Sequence, residues 1–357
     1  MKHISILAMS VILMAPVAAN AASVSPLHAS GIITNNIVSM QHSIILNAFD
    51  KFGSETNMGT YSEYKTPKDT HEKCPPVYGQ MLTYGEYGDD GTVFASGHSG
   101  GELAESNYNW FDWQHAWGTA KFKDFDKIDS RYDLISMGFS NEPVRIDNGF
   151  SQFGGFGGLI ISKESSDAVS TSEAGGFLGL YKGYNLHGFN ITAAGNLGLL
   201  FSDAHATPGD YDFTNFWLGM GLNASYDIKL ANSFVLQPGI YGGYTWIHSS
   251  AYQSSTGATL SIDGLNKFEA SPSLRAILMF GSGWYGTLSG RYVFNFSSGG
   301  DVKSGGVTVP ELELMNYAEY GLAIEKNSDR LGVGLSLNRR SGGLTGWVGG
   351  LHIKYVF

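Results

Sequence analysis

Hydrophobic and polar residues alternate one by one along much of the C-terminal two-thirds of the chain. In residues 331–338, Leu331, Val333, Leu335 and Leu337 occupy every second position, and small or polar residues occupy the positions between them. Three further segments repeat this pattern, at residues 215–228, 265–280 and 344–357. Because successive side chains of a strand point to opposite faces, each segment is predicted to form a strand with one apolar and one polar face.

The alternation predicts twelve strands. They are residues 113–123, 131–141, 149–162, 173–185, 188–201, 213–228, 233–249, 265–280, 283–297, 311–325, 329–340 and 343–357. Most are longer than the ~5–6 residues typical of soluble proteins, and they fit the ~9–11 residues that a tilted membrane strand needs. An even number of strands is typical of a closed bacterial barrel. Two early segments, 131–141 and 173–185, alternate poorly, so their limits are set less sharply.

The connections between these strands alternate in length. Short turns are predicted at 185–188, 229–232, 281–283 and 326–328, and long links at 163–172, 202–212, 250–264 and 298–310. Short periplasmic turns and long external loops are typical of outer-membrane barrels. We therefore predict an all-β fold, an antiparallel transmembrane β-barrel of about twelve strands, with an apolar outside and a wet, polar lumen.

Composition narrows the function classes. Only 15% of residues are charged, 48 are glycine and the mean hydropathy is −0.08, which excludes a bundle of transmembrane helices. The net charge of −10 argues against a nucleic-acid partner, because phosphate binding needs basic patches. The single cysteine, Cys74, excludes an internal disulfide framework and a cysteine-rich metal site. We expect no cofactor and no metal.

The first 21 residues have the pattern of a bacterial signal peptide. Lys2 gives a positive start, residues 4–14 are apolar, Pro16 ends that run, and Ala19-Asn20-Ala21 forms a small-x-small cleavage site. The sequence thus predicts export, with residues 1–21 removed.

One helix is predicted ahead of the barrel. Residues 32–52 contain no proline or glycine and stop at Gly53, and Ile37, Ile44 and Ala48 lie near one face. Such a helix would extend about 32 Å at 1.5 Å per residue, close to the height of a barrel wall. The pattern leaves two placements open, inside the lumen or outside the barrel.

The domain organisation follows from these segments. A short N-terminal region covers 22–112, and the barrel covers 113–357. The stretch from Gly53 to Asn109 is predicted as a loop or partly disordered linker, in which Val77 to Tyr87 has a weak strand pattern.

Residues 113–357 resemble the translocator barrel of bacterial autotransporters, the type V secretion family. The resemblance is carried by the strand from Phe234 to Trp246 with its Pro238, by the glycine-rich stretches 179–184 and 154–158, and by the terminal Tyr355-Val356-Phe357. It implies a twelve-stranded barrel in the outer membrane whose lumen is crossed by an N-terminal helical segment. It also implies translocation or display of that segment.

The C-terminus suggests how the barrel is assembled. Outer-membrane barrels commonly end on an aromatic residue, so Tyr355 and Phe357 are predicted as a signal read by the barrel assembly machinery, after delivery by periplasmic chaperones. The expected environment is outer-membrane lipid, and the expected state is a monomer.

The N-terminal region departs from the autotransporter pattern, which leaves alternatives open. Residues 22–112 are too few for a long β-helix stalk, so a stand-alone pore or structural surface barrel is the second interpretation. Asn35-Asn36 is similar to the paired Asn at which some autotransporters cleave themselves, but it lies too far from the barrel. A lipid hydrolase is the third interpretation. His98 and Ser99 are adjacent only in the linker and no Gly-x-Ser-x-Gly elbow occurs, so we predict no catalytic residue.

Four charged residues are predicted to face the lumen. Glu269, Arg275, Arg291 and Glu319 fall on the polar side of their strands. They could form an ion-pair network that fixes pore polarity or holds the helix, or they could simply line a wet interior.

Acidic residues in the predicted external loops are the remaining candidates. They are Asp203, Asp210, Asp212 and Asp263. They could bind calcium or lipopolysaccharide, although scattered loop acids are usually just solvated.

Overall fold

A computed structural model of the chain describes parts of the N-terminal region and most of the barrel. It covers residue 37, residues 40–49, the backbone of 60–65 and 92–97, and residues 107–356 except 123–124, 147–148, 167–168, 207–208, 249, 254, 256, 258, 305–306, 310–312 and 329. Several predictions fall outside the described residues. They are the signal peptide, Asn35-Asn36, the strand pattern at 77–87, His98-Ser99 and Phe357.

The described residues form one helix and a set of strands. Residues 40–49 are helical and are called α1. The strands are β1 Thr60–Lys65, β2 Thr92–Gly97, β3 Tyr108–Phe122, β4 Phe125–Ser140, β5 Val144–Ile146, β6 Gly149–Ser165, β7 Val169–Leu186, β8 Phe189–Ala206, β9 Tyr211–Tyr226, β10 Ile228–Ala231, β11 Phe234–Ile247, β12 Ser250–Gln253, β13 Thr259–Ile262, β14 Leu265–Gly281, β15 Trp284–Gly299, β16 Val302–Ser304, β17 Val307–Val309, β18 Tyr317–Asn327, β19 Leu331–Gly342 and β20 Leu344–Val356. No helix among these residues has the length and apolar character needed to cross a bilayer.

Twelve of the strands close into a single antiparallel barrel, as predicted. They are β3, β4, β6, β7, β8, β9, β11, β14, β15, β18, β19 and β20. The ring closes because β20 pairs with β3 along thirteen residue pairs, from Leu344↔Ala120 to Val356↔Tyr108. A closed ring pairs the backbone of every strand with two neighbours, which is what a β-structure needs in hydrocarbon.

The early strands are longer than predicted. The first barrel strand begins at Tyr108 rather than 113, and β4 and β7 begin at Phe125 and Val169, ahead of the predicted 131 and 173. The adjacent Gly175 and Gly176 in β7 put a glycine on each face, so the alternation is interrupted although the strand continues. Residues 60–65 and 92–97, predicted as part of a linker, form two paired antiparallel strands.

The two ends of the barrel differ. At one end, called the sheet end, the predicted long links 250–264 and 298–310 fold partly into the four-stranded sheet β12-β13-β16-β17. The other end, called the turn end, carries tight hairpins. One of them has positive φ at His187 (52°) and Gly188 (84°), the backbone of a two-residue β-hairpin. The predicted short turns at 185–188 and 281–283 both occur at this end, where they join β7 to β8 and β14 to β15.

The outer wall of the barrel is apolar. Leu178 is 68% exposed and Phe280 is 64% exposed, and the apolar residues of the predicted alternating segments share this outward face. In β8 the outward Phe189 and Phe201 are twelve residues apart. At ~3.3 Å per residue and a tilt of about 40°, that is about 30 Å along the barrel axis, close to the thickness of a bilayer core. We conclude that the fold is a transmembrane β-barrel.

The inner wall is less uniformly polar than the sequence analysis predicts. Inward side chains such as Ile128, Leu134, Leu200 and Val293 are almost fully buried, and they belong to the same apolar cluster as Ile44 of α1. The reason is that the lumen is occupied. Inner-wall residues that face another part of the chain pack as a protein core does, whereas residues that face water stay polar.

Candidate functional site: a helix held in the barrel lumen

The candidate site is the contact between α1 and the inner wall. Every residue from 40 to 49 except Leu46 is buried. Consecutive helical residues are rotated by about 100°, so the polar side chains of Gln41, His42 and Ser43 point to three different sectors of the wall. Hydrogen bonds from α1 reach five barrel strands in all, β3, β4, β9, β14 and β19. Of the two placements that the sequence left open, the structure shows the luminal one.

Gln41 contacts β9. Its Oε1 accepts a hydrogen bond from Nε1 of the buried Trp217 at 3.0 Å. Gly219 makes this approach possible, because a Cβ at that position would lie 1.6 Å from the Gln41 Nε2. Gly221 does the same one step further along, where a Cβ would lie 2.6 Å from Ile45 Cγ2. The glycines of β9 therefore form the surface against which the helix packs.

His42 contacts β14, which lies two strands from β9 in the ring. Its Nδ1 lies 3.0 Å from Glu269 Oε2, and both side chains are almost fully buried. The imidazole ring also meets the rings of Tyr241 and Tyr317 edge-on, with centroids 5.5 Å and 6.2 Å away. This histidine is thus fixed by one carboxylate and two aromatic rings from three different strands.

Ser43 joins the helix to a buried charge network. Ser43 Oγ and the Tyr132 hydroxyl are 2.9 Å apart, and Arg340 Nη2 donates to Ser43 Oγ at 3.4 Å. Arg340 Nε lies 2.8 Å from one oxygen of Glu319, and Arg291 Nε lies 3.3 Å from the other. Glu319 is therefore shared by two guanidinium groups. We call Glu269, Arg291, Glu319 and Arg340 the luminal clamp.

The helix has a defined direction in the lumen. His42 and Ser43 contact Glu269 and Arg340, which lie within a few residues of the sheet end of their strands. Towards its C-terminus, Asn47 accepts a hydrogen bond from Gln114 Nε2 at 2.6 Å. Leu46 and Phe49 line a polar chamber in the turn-end half of the lumen. Its other lining residues are Asn190, Thr192, Asn223, Ser225, Gln237, Tyr241, Ser271, Ser273, Arg275, Ser289, Gly290 and Arg291. The N-terminus of α1 therefore points towards the sheet end.

Three of the four predicted luminal residues come together around α1. Glu269 contacts the helix directly, and Arg291 and Glu319 belong to the network behind Ser43. Arg275 lies two residues further towards the turn end than the partner of Arg291 on β14, and it lines the polar chamber, as Arg291 also does.

The sequence analysis missed several members of the site. Arg340 continues the inward positions of β19 in steps of two from Gly332, so the alternation could have identified it. The alternation shows which face of a strand points inward, but it does not show which inward residue contacts a helix. It therefore did not identify Tyr132, Trp217 or Gln114.

Three of the four acidic residues of the predicted external loops, Asp203, Asp210 and Asp263, lie near a histidine or a lysine side chain. His205 lies 3.1 Å from Asp210 and 3.8 Å from Asp203, and Lys303 Nζ donates to Asp263 at 2.7 Å. This hydrogen bond and the Asp263 charge raise the pKa of Lys303. Within the described part of the chain, no group of three His, Cys, Asp or Glu residues has a metal-binding arrangement.

The C-terminal strand is part of the ring. Tyr355 faces outward and pairs with Leu331 on one side and Asn109 on the other. Its role in assembly stays a prediction.

The barrel has the fold of autotransporter translocator domains. The β domain of the Bordetella autotransporter BrkA matches with a TM-score of 0.57 at 14% identity, over 71% of this chain and 100% of that chain. The translocator domain of NalP from Neisseria meningitidis matches with a TM-score of 0.58 at 10% identity, over 71% and 88%. The transport unit of AIDA-I from Escherichia coli matches with a TM-score of 0.53 at 16% identity, over 71% and 90%. At such identities the likeness is one of fold. No protein-family model and no curated protein sequence matches the chain.

Proposed function

We propose that this chain is an outer-membrane barrel of the autotransporter type, which holds its own N-terminal segment in the lumen and presents that segment at the cell surface. The observation that carries the proposal is the placement of α1, with its N-terminus towards the sheet end. If the sheet end is external, residues 22–36 enter the outer environment directly from the helix. The proposal includes export through the predicted signal peptide and assembly guided by Tyr355 and Phe357.

The outer wall supports the proposed location. It presents exposed apolar side chains around a closed ring, and aromatic residues lie near both ends, such as Phe189 and Phe201 on β8. This arrangement fits a barrel surrounded by lipid. The other end of the barrel, with its tight hairpins, fits the periplasmic side.

The contacts of α1 support a held segment. A neutral hydrogen bond contributes about 0.5–1.5 kcal/mol net and one to a charged group about 1.5–3 kcal/mol, so hydrogen bonds from five strands together hold the helix in the lumen. The buried apolar side chains of the helix, such as Ile44 and Ile45, add to this.

The polar chamber favours a second candidate, a stand-alone channel that α1 closes. Its lining of serine, asparagine, glutamine and arginine side chains in the turn-end half is suited to water and small polar solutes. In that case α1 would be a plug rather than a segment in transit. We propose no catalytic role, and the similar structures named above are translocator domains.

Protease accessibility in intact cells tests the display. A specific protease site inserted after Ala22 should be cut from outside, because we expect these residues beyond the sheet end. The matched control is the same site inserted between His187 and Gly188, which should be cut only after the outer membrane is permeabilised. Protection of the site after Ala22 in intact cells, together with its cleavage after permeabilisation, would contradict display.

A further inference from the structure

Three basic residues and two tryptophans form one row across the outer wall. Register pairs join Arg339 of β19 to Trp347 of β20, Trp347 to Trp117 of β3, Trp117 to Arg131 of β4, and Arg131 to Lys163 of β6. All five occupy outward positions, and Arg131 and Lys163 are exposed. We call them the basic row. Since neighbouring strands are about 4.8 Å apart, it places two cationic sites about 14 Å apart with two tryptophans between them.

Arg131 and Lys163 lie opposite each other, and a bound anion would compensate their like charges. Like charges directly opposite each other destabilise a sheet, and both side chains are exposed. Among the described residues, no carboxylate lies within 4.0 Å of either cation. The two acids on the same face of β4 have other partners. Asp133 accepts from Trp113 Nε1 at 2.9 Å and lies 3.0 Å from His115 Nδ1, and Asp129 accepts from Thr119 Oγ1 at 2.9 Å.

The position of the basic row along the barrel axis restricts which anion can bind there. Towards the turn end, the next outward positions of β4 and β6 include Ile135, Leu159 and Ile161, which are apolar residues of the outer wall. Trp117 and Trp347 are 45% and 38% exposed, and tryptophan is enriched where a membrane protein crosses the interface. The row therefore lies at the sheet-end boundary of the bilayer, where lipid headgroups are found.

We propose that the basic row binds the phosphorylated headgroup of the glycolipid in the outer leaflet, the lipid A part of lipopolysaccharide. Arg131 and Lys163 would bind one phosphate and Arg339 a second. The guanidinium fork suits a phosphate, and the two indole rings offer flat apolar surfaces for the sugars between the phosphates. Arg339 already lies over the Trp347 ring, 5.1 Å from its centroid, so this cation is held at the row.

The inference rests on the proposed outer-membrane location and on the sheet end being external, but not on display of the N-terminal segment. Binding is measured on the purified full-length barrel. A protected N-terminal site in the protease experiment would defeat display and leave this result unaffected.

Native mass spectrometry in detergent, with diphosphoryl lipid A as the probe, tests the site. We expect Arg131→Gln combined with Lys163→Gln to weaken binding at least tenfold. The matched control is Lys182→Gln, which removes an outward cation of β7 near the turn end and should change affinity less than twofold. Lys163→Arg keeps the charge and should also stay within twofold. Equal binding by the double variant and the control would overturn the proposal.

A second comparison uses only the unaltered protein, so it does not depend on whether the variants fold. Lipid A stripped of both phosphates should bind at least tenfold more weakly than the diphosphoryl form, and millimolar inorganic phosphate should not displace the diphosphoryl form. Equal binding of the two lipids would show that acyl chains alone hold the lipid, and displacement by inorganic phosphate would show a site for the free anion. Either result would overturn the proposal.

Discussion

Glu319 is the residue on which the luminal clamp depends. Its two carboxylate oxygens each lie near one guanidinium, Arg340 at 2.8 Å and Arg291 at 3.3 Å, and all three side chains face the lumen. Burying two cations is costly unless an acid compensates them, so the carboxylate determines whether both arginines can stay in place. Arg340 in turn reaches Ser43, which makes the position of the helix sensitive to this one acid.

Replacing Glu319 with glutamine should therefore destabilise the barrel strongly. Removing one partner of a buried pair typically costs about 3–5 kcal/mol, because the remaining charge is left uncompensated. The measurement is urea unfolding of the barrel reconstituted in vesicles. Glu325→Gln is the matched control, since Glu325 lies on the same strand and the same face without a carboxylate–cation pair among the described residues. Similar losses in the two variants would show that the network does not stabilise the fold.

At the scale of elements, α1 and β9 fit together because β9 lacks side chains at two positions. Gly219 and Gly221 leave the space that Gln41 and Ile45 fill. A glycine normally weakens a strand, so its presence here is explained by the close approach of the helix.

A valine at Gly221 should displace α1. Already its Cβ would lie 2.6 Å from Ile45 Cγ2 and 3.0 Å from a ring carbon of Tyr241, and the branched methyl groups would extend further into the lumen. We expect amide hydrogen exchange across residues 40–49 to be at least tenfold faster. Gly334→Val is the control. It also faces the lumen, but its Cβ would have an ordinary contact of 3.4 Å with Glu325. Unchanged exchange in the Gly221 variant would mean that this packing does not hold the helix.

The alternation along the chain was sufficient to predict the barrel, but only part of the site. Leu331 to Leu337 show one apolar face on the sequence alone, and the same rule placed Glu269, Arg291 and Glu319 in the lumen. The rule says nothing about which inner-wall residue meets which helix residue. The contact between Ser43 and Arg340 depends on the depth and rotation of α1, and these are set by tertiary packing.

At the scale of the whole molecule, the barrel combines a lipid-facing outside with a lumen that part of its own chain occupies. The apolar inner-wall residues and α1 form one buried cluster, so the lumen is packed around the helix and polar beyond its C-terminal end. The described helix thus separates the polar chamber from the sheet end.

Deleting residues 32–53 should open a conducting path. We expect the single-channel conductance in planar bilayers to rise at least several-fold, because polar residues of the inner wall would then face water. Deletion of residues 22–31 is the control, since it leaves α1 and all its contacts in place. If the two deletions gave the same conductance as the full chain, α1 would not be what closes the lumen.

The ring is completed between its first and last strands, β3 and β20. The position of this closure affects how the barrel can assemble around the helix. Residues 40–49 precede every barrel strand in the chain, so the wall can be laid down around the helix and sealed once the C-terminal strand arrives. The helix is then enclosed as the cylinder forms, and no free end has to be threaded through a finished pore.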